Sequence, residues 1–265
     1  MAITSQQNPR IKHVVRLRER RQRDRDGLML VEGREELSLA LASGARPQAL
    51  FYCPAFFGAG DQPALLTRAR EAGADLVEVS APVFEKLAYR EHPDGWLAVV
   101  PTPRRRLADL SLGPTPLLVA AEAVEKPGNL GAILRTADAA GVEGLIVCNP
   151  ATDVGNPNVV RSSKGTFFTV PVVEAESAEA LAWLRERGIA LVATTPQAGL
   201  IYTQADLRGP VAIAVGTEDE GLSRAWLAQA DVAVRIPMAG RVNSLNVATA
   251  AALLLYEAVR QRRET

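Results

Sequence analysis

The sequence predicts an α/β protein with two domains, and three observations support this. The chain has 265 residues, more than the ~100 to 150 residues that are usual for one domain. Short apolar runs alternate with helical patterns along the chain, as is typical of α/β folds. Prolines are concentrated in residues 101–106 and 113–116. Because proline neither extends a helix nor donates to a strand ladder, we place the domain boundary near residue 110.

The first domain, residues 1–110, is expected to be a small α/β unit that begins with a basic helix over residues 8–24. Short apolar runs then predict strands, and apolar residues three and four positions apart predict helices. The predicted strands are 28–31, 49–53, 76–79 and 96–100. The further predicted helices are 34–42, which Gly44 ends, 63–72 and 82–88.

The second domain, residues 111–265, is expected to contain a parallel sheet. Its apolar runs are short and rich in Val, Ile, Leu and Ala, which is typical of strands that are buried on both faces. The predicted strands are 117–121, 144–148, 170–173, 190–194, 211–215 and 232–236. The predicted helices are 130–140, 178–187, 224–230 and 246–260. The last helix has no charged residue from Val247 to Tyr256, so we expect a second copy of the chain to cover it in a homodimer.

Composition excludes several classes of protein. The longest uncharged apolar runs are much shorter than a membrane span, and the first residues lack the apolar core of a signal peptide. We therefore expect a soluble, cytoplasmic protein without a membrane partner. Cys53 and Cys148 are the only cysteines, and His13 and His92 are the only histidines. These residues encode neither a disulfide framework nor a zinc site, and no metal is expected.

The beginning of the chain is strongly basic. Its first 25 residues carry eight basic side chains against Glu19 and Asp24, a local charge of +6. One arginine side chain can donate two parallel hydrogen bonds to the oxygens of a phosphate, and neutralising phosphates releases their condensed counterions. This segment therefore predicts contact with a nucleic acid through Arg16, Arg20 and Arg23. The alternative is that these charged residues form a solvent-exposed helix face without a binding partner, as most runs of charged residues do.

Three segments carry the polar residues of a predicted ligand site. Residues 125–137, 215–223 and 236–248 each follow a predicted strand of the second domain and contain a turn with glycine. Ligands of open α/β sheets bind beyond the carboxyl ends of the strands, so these segments are expected to meet. A Rossmann dinucleotide site is the obvious competitor. However, no GxGxxG follows a strand, and the chain has no Walker lysine loop.

In their order and spacing, the three segments resemble the motifs of the SpoU (TrmH-like) RNA ribose 2′-O-methyltransferases, over most of residues 117–260. The resemblance implies S-adenosylmethionine as cofactor, RNA as substrate and a homodimer. It also implies that the second domain is an α/β-knot, a parallel sheet that is tied in a trefoil knot. Residues 31–37, VEGREEL, resemble the L30e-like RNA-binding domain that often precedes SpoU catalytic domains.

The resemblance also implies roles for single residues. The residues that match the catalytic positions of the family are Arg135, Asn129, Glu218, Ser244 and Asn246. The residues that are expected to contact the cofactor are Thr194, Gly216, Ile236, Met238 and Leu245. Arg161, in the polar segment 161–166, is expected on the rim that faces RNA.

Side-chain chemistry narrows these roles. Methyl transfer needs the methyl group in line with the 2′-oxygen, and the proton of that hydroxyl must leave or its developing charge must be stabilised. Arg135 is suited to stabilise charge rather than act as a base, because a guanidinium with a pKa above ~12 is almost never free to accept a proton. Glu218 is expected to hold Arg135 or the cofactor end of the pocket. Asn and Ser are also favoured at the first position of a helix, so N-capping is the alternative interpretation of Asn129, Ser244 and Asn246.

The sequence therefore predicts an S-adenosylmethionine-dependent RNA 2′-O-methyltransferase. Ribosomal RNA is the expected substrate, because an appended basic domain suits a large structured target, and transfer RNA is the alternative. A catalytically silent RNA-binding protein of the same fold, such as an assembly factor, is the alternative class. Such a protein would have no need to keep the whole set of matching catalytic residues.

Overall fold

The structure is a computed structural model that describes residues 2–58 and 62–263, and these residues form two compact units. The first unit comprises the described residues up to Pro103 together with Asp153–Thr169. The second unit comprises Arg104–Thr152 and the described residues from Val170 onward. The division of the sequence near residue 110 remains a prediction.

The first unit is built around a mixed sheet. Its strands, within the described residues, are β1 (Leu28–Glu32), β2 (Ala49–Tyr52), β3 (Asp75–Glu78) and β4 (Trp96–Pro101). They lie in the order β1-β4-β2-β3, with β4 antiparallel to both neighbours and β2 parallel to β3. The helices before residue 103 are α1 (Pro9–Arg16), α2 (Arg20–Asp26), α3 (Arg34–Ala42), α4 (Gln62–Glu71) and α5 (Ala81–Leu87). The strand predictions for this unit are confirmed to within one residue at each end.

The single basic helix that is predicted over residues 8–24 is wrong, because α1 ends at Arg16 and α2 begins only at Arg20. Leu17, which lies between the two helices, is fully buried. The break leaves the carbonyl oxygens of Leu17 and Arg18 without a continuing helix. Arg23 satisfies both, since its Nη1 donates to the Leu17 oxygen at 2.8 Å and to the Arg18 oxygen at 2.6 Å. Burial of Leu17 and this capping by Arg23 account for two helices instead of one.

The second unit contains a parallel sheet. Its strands are β5 (Leu117–Glu122), β6 (Gly144–Cys148), β7 (Val172–Ala175), β8 (Ala190–Thr194), β9 (Leu200–Ile201), β10 (Val211–Val215) and β11 (Val232–Arg235). They lie in the order β7-β6-β5-β10-β8-β11-β9, and each recorded pair is parallel. Every residue of β5, β6 and β10 is buried, which confirms the expectation of strands covered on both faces.

The helices after residue 103 pack beside this sheet, except for one that belongs to the first unit. They are α6 (Pro127–Ala139), α7 (Pro157–Ser162), α8 (Ser177–Glu186), α9 (Arg224–Gln229) and α10 (Val247–Arg263). The exception is α7, which lies in the segment Asp153–Thr169. Among the described residues, no helix is long and apolar enough to cross a membrane.

Several elements in this half of the chain differ from the sequence-based prediction. α6 begins three residues before its predicted start, and α10 ends three residues after its predicted end. The strand predicted at 170–173 lies two residues later, at β7, because Pro171 has no N–H to donate to a ladder. Neither α7 nor the two-residue strand β9 is predicted. The start of α7 has a sequence signal, since Pro157 follows Asn156, whose side chain accepts a hydrogen bond from the Asn158 N–H at 2.9 Å.

Candidate active site

Two of the three motif segments meet at one edge of the parallel sheet. β5 and β10 are neighbouring parallel strands, and their carboxyl ends therefore lie at the same edge. The chain continues from β5 to Asn129 in the first turn of α6, and from β10 to Glu218. As a result, the side chains of Asn129 and Glu218, 89 positions apart in sequence, form a hydrogen bond.

Glu218 is the centre of a polar cluster that consists of Lys126, Asn129, Glu218 and Asn246. Its Oε1 accepts hydrogen bonds from Asn129 Nδ2 at 2.8 Å and from Asn246 Nδ2 at 2.9 Å. Its Oε2 accepts a hydrogen bond from Lys126 Nζ. Asn246 Nδ2 also lies 3.0 Å from Asn129 Oδ1. All three motif segments therefore converge on one carboxylate.

The cluster favours the ionised form of Glu218. The hydrogen bond from the Lys126 ammonium, followed by that from Asn129, lowers the pKa of Glu218 below its ordinary value of 4.5. The same contact raises the pKa of Lys126. The Lys126 side chain is 68% exposed, so water screens this ion pair and its contribution to stability is small. The main effect of the cluster is to fix the orientation of two amides around one anion.

A cavity of about 500 Å³ lies beside the polar cluster in the second unit. It is lined by every residue that is predicted to contact the cofactor, namely Thr194, Gly216, Ile236, Met238 and Leu245. Glu218 and Ser244 also line it, so the cavity and the polar cluster share a wall. The structure thus brings the residues that the sequence analysis assigns to the cofactor together with Glu218 and Ser244, two of those that it assigns to catalysis.

Gly216 is required by the shape of this wall. A Cβ at position 216 would lie 2.0 Å from the carbonyl oxygen of Gly221, well inside any permitted contact. The chain turns back at this point because the Thr217 N–H donates to the Gly221 oxygen at 3.0 Å and the Gly221 N–H donates to the Thr217 oxygen at 3.2 Å. Gly216 therefore has a packing role in addition to its place on the cavity wall.

Arg135 lies on α6, six residues after Asn129, which is about 9 Å along the helix axis at ~1.5 Å per residue. Its side chain is exposed. Among the described residues it forms no hydrogen bond or ion pair with Glu218, whose partners are the other members of the polar cluster. The expectation that Glu218 holds Arg135 is therefore corrected. The alternative, that Glu218 serves the cofactor end of the pocket, agrees with its position on the cavity wall.

Asn246 caps a helix, whereas Asn129 does not. Asn246 Oδ1 accepts a hydrogen bond from the Ala248 N–H at 3.0 Å at the start of α10, and its Nδ2 serves the polar cluster. One side chain thus has both of the roles that the sequence suggests. α6 begins at Pro127, so Asn129 is its third residue and its amide is directed to Glu218 instead of the helix end.

A buried carboxylate that the sequence analysis did not single out supports the site. Glu122, the last residue of β5, is 5% exposed. Its Oε2 accepts a hydrogen bond from the Ser223 N–H at 2.7 Å, and its Oε1 accepts one from Ser177 Oγ at 3.4 Å. Glu122 therefore ties the end of β5 to the residue before α9, directly after the turn that forms the cavity wall. Its signal in the sequence is a lone acidic residue at the end of an apolar strand.

The four arginines that are expected to contact RNA have two different environments. Arg16, Arg20 and Arg161 are exposed. Arg23 is 4% exposed and forms an ion pair with Asp153, in addition to its hydrogen bonds to two backbone oxygens. A buried and fully partnered guanidinium is not available to a phosphate. The expectation for Arg23 is therefore corrected, and its role is to stabilise the first unit.

Cys53 and Cys148 are free and buried, and burial raises the pKa of Cys148 to about 12, so this thiol is neutral near pH 7. Within residues 2–58 and 62–263, no group of three or more His, Cys, Asp and Glu side chains is arranged to hold a metal ion.

Comparison with known sequences supports the assignment of both parts of the chain. The model of the SpoU rRNA Methylase family matches residues 116–256, and the model of the MRM3-like substrate binding domain matches residues 8–98. The 23S rRNA (uridine(2479)-2′-O)-methyltransferase of Streptomyces viridochromogenes is 36% identical over 254 residues, which cover 92% of this chain and 86% of that protein.

Comparison with solved structures gives the same result. The crystal structure of an RNA 2′-O ribose methyltransferase superposes on this chain with a TM-score of 0.85 at 44% sequence identity. The alignment covers 99% of this chain and 100% of the solved chain. An AdoMet-bound rRNA methyltransferase from Sinorhizobium meliloti has a TM-score of 0.90 at 31% identity, over 98% of this chain and 97% of that one. The chain therefore belongs to the SpoU rRNA methylase family, which confirms the prediction of an S-adenosylmethionine-dependent RNA 2′-O-methyltransferase.

Proposed function

We propose that the protein transfers the methyl group of S-adenosylmethionine to a ribose 2′-hydroxyl of ribosomal RNA, through the cavity and the polar cluster of its second unit. The observation that carries this proposal is the shared wall between the two sites. Glu218 and Ser244 line the cavity that contains the expected cofactor residues, and Glu218 also binds Asn129 and Asn246. The cofactor in the cavity and the acceptor ribose at the polar cluster would thus lie on either side of the Glu218 carboxylate.

The cavity suits the cofactor in its chemistry. Ile236, Met238 and Leu245 provide apolar surface for an adenine ring. Thr194 Oγ1 is buried and has no hydrogen-bond partner among the residues that the structure describes, and Thr194 lines the cavity. A buried hydroxyl without a partner is costly, and a ribose or adenine heteroatom would satisfy it. When bound, S-adenosylmethionine supplies the electrophilic methyl group.

The residues around the cavity have positioning and electrostatic roles in this proposal. Glu218 fixes the Asn129 and Asn246 amides, so that these side chains orient the acceptor ribose without a rearrangement at the moment of reaction. The guanidinium group of Arg135 stabilises negative charge on the 2′-oxygen or orients a neighbouring phosphate. Ser244, an exposed residue of the cavity wall, is a further hydrogen-bonding group for the ribose.

RNA capture is assigned to exposed cations outside the cavity. Arg16 and Arg20 on the first two helices and Arg161 on α7 are exposed, and each would contact phosphate. The choice of ribosomal RNA is supported by the relatives, which include enzymes named for 23S rRNA. A cytoplasmic location follows in this proposal from that of the substrate.

We propose that the second domain, residues 111–265, is tied in a trefoil knot and dimerises through the knotted region, and that residues 1–110 bind substrate. Family membership supports all three. The dimer is further supported by Leu253 and Tyr256 on α10, which are 36% and 51% exposed and have no charged neighbour between Val247 and Tyr256.

A transfer assay tests the proposed function. Purified protein with methyl-labelled S-adenosylmethionine should label deproteinised ribosomal RNA, and mapping should find the mark as a 2′-O-methylribose. Transfer RNA serves as the alternative substrate in the same assay. The same position should be methylated in cells that carry the gene and unmethylated in cells that lack it. Label on transfer RNA alone would replace the proposed substrate, and label on neither RNA would favour the silent RNA-binding protein.

A further inference from the structure

An exposed aromatic ring stands out on the surface of the first unit. Tyr89, which follows α5 after one residue, is 40% exposed. A single exposed tyrosine is ordinary on a protein surface. What distinguishes Tyr89 is the set of contacts that hold it in place.

The backbone of Tyr89 is held by a buried carboxylate. Glu32, at the end of β1, is 6% exposed, and its two oxygens accept hydrogen bonds from the Tyr89 N–H at 2.8 Å and the Arg90 N–H at 3.3 Å. Burial raises the pKa of Glu32. A carboxylate in the core that binds two consecutive N–H groups keeps this loop in one conformation.

The side chain of Tyr89 is held as well. Asn158 Nδ2 donates to the Tyr89 hydroxyl at 3.2 Å, and the Arg18 guanidinium carbon lies over the ring at 5.9 Å from its centroid. Arg18 is itself fixed, because its Nη2 donates to the Lys86 and Ala88 oxygens. The ring is therefore presented to solvent in a fixed orientation, at little further cost in side-chain entropy on binding.

The first unit also has a charged cleft of about 530 Å³, and Arg90, the residue after Tyr89, lines it. Its carboxylates are already partnered. Glu36 binds Arg90 Nη2, Asp94 accepts a hydrogen bond from the Arg34 backbone N–H, and Glu35 lies 3.6 Å from Lys164 Nζ. In contrast, the guanidinium groups of Arg34 and Arg161, which also line the cleft, form no ion pair within the described residues. Both are exposed and are available to an anion.

The ring and the cleft are connected through two short links. Tyr89 is adjacent in sequence to Arg90, which lines the cleft. Asn158, which binds the Tyr89 hydroxyl, is three residues before Arg161 on α7, and residues three apart lie on the same face of a helix. Arg90 and α7 therefore link the fixed aromatic ring to the cleft that holds the two guanidinium groups, which form no ion pair within the described residues.

We propose that Tyr89, Arg34 and Arg161 form a subsite for a single-stranded nucleotide of the substrate RNA, with its base stacked on Tyr89 and its flanking phosphates bound by the two arginines. Unpaired bases in RNA are commonly recognised by stacking on aromatic rings, and guanidinium groups bind phosphate oxygens in pairs. This inference rests on the proposed function, because it takes RNA as the ligand of the first unit.

The test compares Tyr89→Ala with Tyr89→Phe in the full-length protein. The probes are a fluorescent single-stranded oligouridine and a fully paired RNA duplex of the same length, measured by fluorescence anisotropy. Tyr89→Ala should weaken binding of the single strand on the order of 10-fold and leave binding of the duplex unchanged. Tyr89→Phe keeps the ring and should bind both probes as the original protein does. The salt dependence should be the same in both variants, since stacking releases no counterions.

The arginines have a different signature. Arg34→Ala and Arg161→Ala should each lower the logarithmic salt slope for the single strand by about 0.7 for one lost phosphate contact. Arg46→Ala, a change at an exposed arginine of the first unit outside the cleft, is the matched control and should leave the slope unchanged.

Crosslinking of the unaltered protein provides a readout that does not depend on how the variants fold. Ultraviolet light should join a 4-thiouridine oligonucleotide to the peptide that contains Tyr89. Equal single-strand affinity in Tyr89→Ala and Tyr89→Phe, or crosslinks only at other peptides, would overturn the subsite. Such a result would leave the proposed function intact if the protein still methylates ribosomal RNA, whereas absence of any RNA binding or methylation would overturn the proposed function itself.

Discussion

Asn129 and Asn246 are 117 positions apart in the sequence, and the Nδ2 of Asn246 lies 3.0 Å from the Oδ1 of Asn129. Both amides also donate to Glu218 Oε1. Because a carboxylate accepts but does not donate, it fixes which way each amide points. In the proposed function, the cluster would therefore hold two side chains in place for the acceptor ribose before RNA binds.

Arg135→Ala should lose most methyl transfer and keep its affinity for S-adenosylmethionine. The side chain is exposed and lies outside the cavity wall, so the fold and the cofactor site should be unaffected. Loss of one group that stabilises developing charge typically lowers turnover by about 100- to 1000-fold. Arg135→Lys should restore little, because one ammonium does not reproduce the guanidinium fork. Arg185→Ala, at an exposed position of α8, is the control, and unreduced turnover in Arg135→Ala would refute the assigned role.

Leu245→Asp should abolish binding of S-adenosylmethionine in calorimetry, because it places an unpaired charge on the apolar cavity wall that we propose for the adenine. We expect a loss of about 100-fold or more, since burying an unpaired charge costs at least several kcal/mol. Val242→Asp, in the same loop but 65% exposed and outside the cavity wall, should bind normally. A chelator should not change either titration. Equal affinity of the two variants would remove Leu245 from the cofactor site.

Gly216→Ala should lower the melting temperature and the affinity for the cofactor together. The added methyl group would meet the Gly221 backbone at 2.0 Å, so the turn that forms the cavity wall has to open. The matched control is Gly209→Ala, where no atom of the described residues beyond its two chain neighbours lies within 4 Å of the added carbon. A normal melting curve for Gly216→Ala would mean that this turn is more tolerant than its hydrogen bonds suggest.

Lys126→Ala should shift the acid limb of the activity profile to higher pH. The Lys126 hydrogen bond holds the pKa of Glu218 below 4.5, so in the original protein Glu218 stays ionised at a lower pH than an ordinary glutamate. A carboxyl group whose pKa is lower in the folded protein than in the unfolded chain stabilises the fold at pH values above its unfolded pKa. This stabilisation is lost as the pH falls through the folded-state pKa. Without Lys126, Glu218 should take up its proton at a pH closer to 4.5. Lys86→Ala, in the first unit, should leave the limb in place, and an unmoved limb in Lys126→Ala would contradict the coupling.

Arg16→Glu with Arg20→Glu should weaken RNA binding and reduce its salt dependence without changing the melting temperature. Both side chains are exposed, and each lost phosphate contact should lower the logarithmic slope by roughly 0.7 to 0.9. Arg23→Glu should instead destabilise the protein, because breaking a buried ion pair costs about 3 to 5 kcal/mol. Equal melting temperatures for the two proteins would contradict the structural role of Arg23.

Light scattering tests the homodimer and should give about twice the chain mass of 28.4 kDa. Leu253→Glu should shift the protein toward a monomer, because it places a charge on the apolar exposed face of α10. Ala182→Glu, at an exposed position of α8, should remain a dimer. A fully active monomer of the unaltered chain would refute the proposed assembly.

The sequence by itself determined the class of fold, the position of most strands and the three motif segments. β6, β8 and β10 lie where their apolar runs predict, because a strand that is covered on both faces leaves a continuous apolar signal. The motif residues were recognisable because each lies in a short segment with a turn and a helix start. The resemblance of those segments to one family also identified the cofactor and the reaction.

Only the tertiary structure decided which of these residues touch one another. β10 pairs with β5 although more than 80 residues separate them, and this pairing brings Glu218 to Asn129 and Lys126. Nothing in the local sequence distinguishes Lys126 from a solvated lysine, or Arg23 from its exposed neighbours on the same basic stretch. Charge and apolar periodicity are local properties of the chain. The partners of a charged side chain depend on strand order and on where a helix ends, and both result from packing over the whole fold.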